Sequence, residues 1–296
     1  MMLRLRSYHT ILCMRGGIGN QLYQYAALEA IKSFTGMSAC IDLSHYKYRN
    51  NPRKPLLLCL AKKIRHSLDN VSTWPTIFAQ QKLCSVNKDL YSFMNLRPIV
   101  EDSDIILESL EVKNFSKPHL LIGYFQHHRF ISKSNMMTSF ERYCRKTVGN
   151  SRNVIGIHLR LGDYSDPNYS GLYWIANRKY INEAYSIVCT RLQGNTNYEV
   201  RIFSDDIKKA TSLIESTDID LRKVKFISLG SAIEDLMQLA SCEYKILGNS
   251  TYSMISHYLN KDASFTVIPR SWFKTQETPA SLFPHTDARV LLLNNQ

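Results

Sequence analysis

Apolar positions in the second half of the chain follow two spacings that alternate regularly. Short apolar runs with many β-branched residues have the length of buried strands, and they begin near residues 154, 199, 223, 244 and 264. Between these runs, apolar residues recur at helical spacing, over residues 180–192, 207–214, 232–240 and from 252 to about 260. Strands that alternate with helices in this way predict an α/β domain with a mostly parallel sheet.

The first half begins with the same pattern. An apolar strand at residues 10–14 precedes a series of apolar residues at helical spacing. Gly36 is predicted to terminate that helix. Small polar residues at 149–151 predict a linker. We therefore expect two α/β domains, residues 1–149 and 150–296, and the chain is long enough for two cores.

The strand near residue 154 ends in a segment with the chemistry of an anion site, IHLRLGDY at residues 157–164. His158 and Arg160 are two residues apart, so on an extended backbone their side chains point the same way. In open α/β sheets, ligands bind beyond the carboxyl ends of the strands. An arginine there offers a fork of donors to phosphate oxygens, and a histidine adds a hydrogen bond or a proton. A purely structural interpretation pairs Arg160 with Asp163 across a turn and leaves His158 as a core residue.

A glycine-rich turn, GGIGNQ at residues 16–21, lies between the first strand and the first helix. Glycines let a backbone come close to a ligand, and a helix start presents free N–H groups, so the turn suits a phosphate or a sugar. Its spacing is neither the dinucleotide fingerprint nor the nucleotide-triphosphate loop. A tight strand-to-helix turn without a ligand would have a similar sequence.

Two further strands end in polar residues at predicted helix starts. Asp205 and Asp206 follow the strand near residue 199, where carboxylates favour the helix dipole. Asp205 alternatively accepts hydrogen bonds from ribose hydroxyls or a purine, or the two aspartates hold a divalent metal. The strand near residue 244 runs into Asn-Ser-Thr at 249–251, where Ser250 or Thr251 would cap the last helix or hold a phosphate.

Taken in order, four segments of the chain resemble glycosyltransferase family 11, whose members are α-1,2-fucosyltransferases. These segments are residues 16–21, 158–164, 203–206 and 249–253. Two further segments, at 123–126 and 268–273, resemble the middle region and the end of the family, so the similarity spans about residues 10 to 275. The chain departs from the family pattern at Leu161, where a second arginine is usual, and at Met254 and Ile255, where aromatic residues are usual.

The resemblance implies a fold and an activity. The implied fold is α/β, with two Rossmann-like domains facing a cleft (GT-B-like) and mostly parallel sheets. The N-terminal domain would lie on the acceptor side, and the C-terminal domain would bind the GDP-sugar. The implied reaction is inverting transfer of L-fucose from GDP-β-L-fucose to the 2-hydroxyl of a terminal galactose. The acceptor would be a galactose-terminated glycan, free or lipid-linked, from a bacterial surface polysaccharide, and neither a cofactor nor a metal is expected.

The resemblance also implies roles for individual residues. Arg160 would face the donor diphosphate, and Asn20 would reach the fucose or the reacting hydroxyl. The general base is left open among His158, Asp163 and Asp166, because a base must lie within hydrogen-bond reach of the acceptor hydroxyl. The donor-binding set comprises the glycine turn and the later strand ends, namely Gly16, Gly17, Gly19, Gln21, Ser204, Asp205, Asn249, Ser250 and Thr251.

Three other functions stay open at this point. A fucosyltransferase of a different linkage would share the donor site and differ in its acceptor. A metal-dependent transferase would place a cation on Asp205 and Asp206. A non-catalytic protein would bind a sugar nucleotide or a nucleic acid without transfer.

The net charge of +12 predicts an anionic partner. Nucleic acid is disfavoured because the chain has no base-reading motif and its positive residues are spread along the sequence. Residues 53–66 combine leucines with a basic cluster, which predicts either contact with an anionic membrane or an ordinary core helix with a solvated basic face.

The scattered cysteines and the amino terminus indicate the compartment. Seven cysteines without metal spacing favour a reducing environment, and the first residues lack the apolar core of a signal or anchor. We therefore expect a cytoplasmic protein, peripheral on the inner face of the cytoplasmic membrane if the basic segment touches lipid.

Overall fold

A computed structural model of the chain describes residues 10–36, 38–43, 45–46, 54–68, 70–72, 97–100, 119–165 and 171–295. The chain divides into two compact units, residues 1–140 (unit 1) and 141–296 (unit 2). Asp166, a candidate base from the sequence, lies outside the described residues.

Unit 1 contains a parallel sheet of five described strands: β1 (Thr10–Cys13), β2 (Ala39–Asp42), β3 (Asn70–Ser72), β4 (Arg97–Val100) and β5 (His119–Ile122). Their order across the sheet is β3-β2-β1-β5-β4. The described helices of this unit are α1 (Ile18–Thr35), α2 (Leu56–Ile64) and α3 (His128–Lys133). Helix α4 (Asn135–Thr147) begins in unit 1 and ends in unit 2.

The strand, glycine turn and helix that the sequence predicts at the start of unit 1 are confirmed. Strand β1 is buried along its whole length, and α1 follows the turn directly. Gly36 ends α1 in the left-handed conformation, with φ of 67°, and its N–H donates to the carbonyl of Lys32 at 2.8 Å. A residue with a Cβ adopts this conformation only at a steric cost, which explains why glycine ends the helix.

Unit 2 contains a parallel sheet of six described strands: β6 (Ser151–Leu159), β7 (Glu199–Ser204), β8 (Val224–Phe226), β9 (Cys242–Leu247), β10 (Phe265–Pro269) and β11 (Val290–Leu293). Its order is β8-β7-β6-β9-β10-β11, so the strand order reverses between β6 and β9. The helices between the strands are α5 (Arg178–Arg191), α6 (Ile207–Glu215), α7 (Ala232–Ser241) and α8 (Thr251–Tyr258). This is the doubly wound Rossmann order, in which ligands bind at the point of reversal.

Two apolar clusters pack on the sheet of unit 2. The larger cluster joins the sheet to α5 and α6 through residues such as Ile157, Ile181 and Ile214. The smaller one joins it to α7 and α8 through residues such as Leu239 and Met254. Burial on both faces explains why β6 is mostly apolar from Val154 to Leu159.

The sequence-based fold class is confirmed, because both units are α/β with parallel sheets. Strand β11 was not predicted from the sequence. Three of its four side chains are only partly buried, and the strand before it, β10, leads into an irregular segment and not into a helix. The boundary between the compact units falls after Phe140, within α4, whereas the sequence places the linker just beyond that helix. The roles assigned to the two domains stay predictions.

Helix α2 lies within the basic segment 53–66. Leu57, Leu60 and Ala61 are buried, whereas Lys62 and Lys63 are exposed, which is the arrangement of a core helix with a solvated basic face. Contact with a membrane therefore stays a prediction. Within the described ranges, each helix is either too short or not apolar enough to cross a bilayer. The six described cysteines are free thiols, and four of them are buried.

Candidate active site

The carboxyl edge of the unit 2 sheet brings two of the predicted segments side by side. Strands β6 and β9 are neighbours, with His158 in register with Leu247. The N–H of Gly248 donates to the carbonyl of His158 at 3.0 Å, so the loop after β9 continues the contact beyond the last paired residues. The HLRLGDY and NST segments thus lie next to each other where the strand order reverses.

Arg160 is held between two carboxylates at this edge. Its Nη2 lies 2.6 Å from Oδ2 of Asp163, and its Nη1 lies 3.1 Å from Oδ2 of Asp205. The guanidinium carbon is also 5.8 Å from the ring centroid of Tyr164. Burial alone lowers the pKa of Arg160, but Asp205 and Asp163 outweigh burial and raise the pKa above its usual value. Arg160 is therefore a permanent cation, and 26% of its side chain is exposed to solvent.

The prediction that His158 and Arg160 point the same way rests on a strand that continues through both residues. Strand β6 ends at Leu159, so the two-residue alternation does not extend to Arg160. The two side chains have different partners: Nδ1 of His158 lies 2.6 Å from Oγ of Ser253 in α8, whereas Arg160 contacts the loop after β7. The ion pair between Arg160 and Asp163 that the purely structural interpretation predicts is present. It lies at the carboxyl edge of the sheet, where a ligand would bind.

His158 is a buried, neutral ring, with 4% of its surface exposed. Burial, and then the nearby charge of Arg160, lower the pKa of His158 to about 3. Its ring lies 5.1 Å from that of Tyr252, and its Nδ1 is engaged by Ser253. A ring with so low a pKa binds a proton weakly at neutral pH, which disfavours His158 as the general base.

The loop after β9 is fixed by Asn249. This side chain is buried, and its Nδ2 donates to the carbonyls of Trp174 and Trp272, the latter at 3.0 Å. The hydroxyl of Tyr164 donates to the carbonyl of Asn249 at 3.1 Å, which joins this loop to the one after β6. Asn249 therefore positions the start of α8 through these hydrogen bonds.

The start of α8 differs from the capping that the sequence predicts. Ser250 occupies the N-cap position, but within the described chain its hydroxyl makes no capping hydrogen bond. The first turn, which begins at Thr251, contains no acidic residue. By contrast, Asn177 caps α5 and Asp206 caps α6 through their side chains. The α8 start thus offers N–H groups and a positive dipole end to an anion.

The loop after β7 is engaged by partners within the chain. Asp206 caps α6 by accepting from the N–H of Lys209 at 3.0 Å, and the hydroxyl of Ser204 accepts from the N–H of Asp206 at 3.1 Å. Asp205 turns instead toward the loop after β6. Among the described residues, no three His, Cys, Asp or Glu side chains form a possible metal site, and the expected absence of a metal stays a prediction.

In unit 1, the glycine turn is closely packed at Gly16. Gly16 has a φ of +82°, and a Cβ there would lie 2.7 Å from Nδ2 of Asn20. The buried Gln21 donates from Nε2 to the carbonyls of Gly16 and Lys54, both at 2.9 Å, and its Oε1 accepts from the N–H of Leu57 at 2.8 Å. Gln21 therefore ties the turn to the start of α2, a structural role that the sequence did not separate from ligand binding.

The start of α1 has features that suit an anion or a polar ligand. Gly17 is its N-cap, Gly19 lies in the first turn, and that turn contains no acidic residue. Asn20 is partly exposed, and its Oδ1 accepts from Nε2 of Gln126 at 3.0 Å. The amide of Asn20 is thus held in a fixed orientation near the amino end of α1.

Sequence reasoning missed an aromatic cluster near Arg160. The rings of Tyr164 and Tyr173 stack at 4.2 Å, and Phe273 lies 5.5 Å from Tyr173. Tyr173 and Phe273 also form an isolated antiparallel bridge. Tyr164 lies inside the HLRLGDY segment and Tyr173 follows it closely, but Phe273 is far away in sequence, so the fold is needed to reveal the cluster. The three positions that depart from the family pattern, Leu161, Met254 and Ile255, have buried apolar side chains.

Comparison with known proteins gives one family and a set of distant relatives. The model of glycosyl transferase family 11 matches residues 2–281. An α-1,2-colitosyltransferase of Escherichia coli is 24% identical over 286 residues, covering 89% of this chain and 92% of that protein. The O-antigen biosynthesis glycosyltransferase WbnK of E. coli is 23% identical over 292 residues, covering 88% of this chain and 94% of that protein. A structure of the Bradyrhizobium α-1,6-fucosyltransferase NodZ, co-crystallised with GDP, matches with a TM-score of 0.49 and 13% identity, covering 86% of this chain and 93% of that one.

Proposed function

The chain belongs to glycosyltransferase family 11, and from that premise we propose that it transfers L-fucose from GDP-β-L-fucose to the 2-hydroxyl of a terminal galactose. The acceptor we propose is a bacterial surface polysaccharide unit, free or lipid-linked. The observation that carries the donor assignment is the meeting of the HLRLGDY and NST segments at the strand-order reversal of unit 2. The family match supports the sugar, and the name of the colitosyltransferase relative supports the α-1,2 linkage.

The residues at this edge suit the leaving group of the reaction. Inversion implies a single displacement, in which negative charge grows on the β-phosphate as its bond to the sugar breaks. Fixed donors aimed at such an oxygen lower the barrier. Arg160 supplies a permanent cation with a forked donor set, and the uncapped start of α8 supplies backbone N–H groups. Ser250 and Thr251, at the start of that helix, are proposed to contact the diphosphate.

Fewer residues are proposed to act on the acceptor than on the donor. Asn20 is proposed to contact the fucose or the attacking hydroxyl, since its amide is held in place by Gln126. Asp163 remains a candidate for the base, although its carboxylate is paired with Arg160 in this structure. The proposed reaction uses neither a cofactor nor a metal.

The test is a transfer assay with labelled GDP-fucose and a panel of galactosides, with linkage determined by NMR. We expect α-1,2-fucosylated galactoside, and activity that survives a chelator. GDP-colitose is assayed in parallel, because one relative is named for that sugar. Transfer of colitose but not of fucose would show that the donor sugar is colitose. A product with a different linkage would show that another acceptor hydroxyl is used.

The role of Arg160 is tested with two substitutions. Arg160→Ala should lower kcat by ~10²–10³, the typical cost of removing a donor to a developing oxyanion. The control is Arg222→Ala, which removes a 90% exposed arginine that pairs with Asp220 and should leave kcat unchanged. An Arg160→Ala variant that is folded and fully active would refute the assignment.

A further inference from the structure

Both carboxylate oxygens of Asp205 contact the loop after β6. Its Oδ1 accepts from the backbone N–H groups of Leu161, at 2.8 Å, and Gly162, at 3.1 Å. Its Oδ2 lies 3.1 Å from Nη1 of Arg160. One carboxylate therefore holds both the backbone and the side chain of the loop after β6.

Gly162 provides independent support for this arrangement. A Cβ at this position would lie 2.6 Å from Oδ2 and 3.0 Å from Cγ of Asp205. The carboxylate thus occupies the space that any other side chain at position 162 would need. The approach of Asp205 explains the glycine of the HLRLGDY segment, since Gly162 does not adopt a left-handed φ.

The first turn of α6 contacts the other side of the same peptide. Nζ of Lys209 donates to the carbonyl of Leu161 at 3.4 Å, while Asp206 caps α6 and also pairs with Lys209 at 3.3 Å. Asp205 therefore contacts the N–H groups and the guanidinium of the 160–162 loop, and Lys209 contacts its carbonyl.

We propose that Asp205 is a positioning residue, which fixes Arg160 for the donor diphosphate and does not itself contact the nucleoside. The inference rests on the proposed function, because it assigns to Arg160 the diphosphate as ligand. A guanidinium has five N–H donors. In the described chain, Nη2 of Arg160 donates to Asp163 and Nη1 forms an ion pair with Asp205, so the guanidinium keeps further N–H groups for phosphate oxygens. The guanidinium is thus oriented before the ligand binds, so binding does not carry the free-energy cost of reorienting it.

The two adjacent aspartates provide a matched experiment. Asp205→Ala removes the acceptor for both N–H groups and the charge next to Arg160. Asp205→Asn keeps an acceptor oxygen for the backbone, but removes the charge and places an amide NH2 where Oδ2 faces Arg160. Asp206→Asn is the control, since it changes the neighbouring carboxylate and retains a helix-capping side chain. Gly162→Ala displaces the carboxylate without altering Asp205 itself.

The first measurement is hydrogen exchange of the Leu161 and Gly162 amides in the free protein. Both amides should lose protection in Asp205→Ala and Gly162→Ala, and keep it in Asp206→Asn. Unchanged protection in Asp205→Ala would overturn the proposal whatever the protein binds.

The second measurement is the affinity for GDP relative to GMP, by calorimetry. Asp205→Ala and Gly162→Ala should weaken GDP binding by ~10- to 100-fold, the size of a lost hydrogen bond to a charged group, and should leave GMP binding unchanged. Asp205→Asn should lie between these variants and the wild type. Equal losses for GDP and GMP would return Asp205 to the nucleoside, and an unchanged GDP affinity would reduce it to a structural residue. Failure of the wild-type protein to bind GDP would instead refute the proposed function.

Discussion

Lys245 is a fully buried lysine in the middle of β9. Its Nζ donates to the carbonyl of Cys242 at 2.8 Å, at the carboxyl end of α7. Burial lowers the pKa of Lys245 from 10.5 to about 8. The side chain is therefore charged at neutral pH in an environment that disfavours its charge.

The size of this effect follows from the pKa shift. A shift of one pKa unit corresponds to 1.36 kcal/mol, so the ammonium form of Lys245 destabilises the folded state by about 3 kcal/mol. Because the folded pKa lies below the unfolded one, this cost is fully present below pH 8. It disappears as the pH rises from 8 to 10.5, where both states become neutral.

Lys245→Met removes the charge and keeps a flexible apolar chain. It also leaves the Cys242 carbonyl unpaired, at a cost of about 1–3 kcal/mol. We expect a net stabilisation of about 1–2 kcal/mol at pH 7, and a net destabilisation near pH 10.5, where only the lost hydrogen bond remains.

The assay is urea unfolding of wild type and variant at pH 7 and at pH 10, followed by circular dichroism. Lys208→Met, at an exposed position of α6, is the control and should give the same small difference at both values. A Lys245→Met variant that is less stable than wild type at pH 7, by the same amount as at pH 10, would show that burial does not disfavour the ammonium.

Three further predictions concern residues of unit 2. Gly156→Ala should lower the free energy of unfolding by about 1–3 kcal/mol, because the new Cβ would lie 2.8 Å from Sγ of Cys242. The control Gly171→Ala, with no described atom within 4 Å of its Cβ, should change this free energy little. Equal effects of the two substitutions would contradict the packing argument. His158 should stay a neutral imidazole from pH 8 to pH 5 in ¹⁵N NMR spectra, since its pKa is lowered to about 3; an imidazolium signal above pH 5 would count against its burial. Asn249→Ala should cost about 1–3 kcal/mol in thermal unfolding experiments, because two carbonyls lose their donor, and a neutral result would mean that water replaces the amide.

Local sequence determined the secondary structure of unit 2 and the positions of its polar strand ends. Apolar spacing and capping residues act within a few positions, so β6 through β10 and α5 through α8 were predictable without knowledge of their neighbours. Gly36 likewise identified the end of α1. The order of four polar segments was sufficient to indicate the family.

Tertiary structure decided which residues meet and in what state. Leu161 and Asp205 are 44 residues apart, and His158 and Ser253 are 95 apart, so no local pattern reports these contacts. The strand order placed β6 beside β9, buried His158 under α8 and turned Asp205 toward Arg160. Burial and charge depend on neighbours brought together by the sheet, and for that physical reason the pKa values, and the division between ligand-binding and structural side chains, were not readable from the sequence alone.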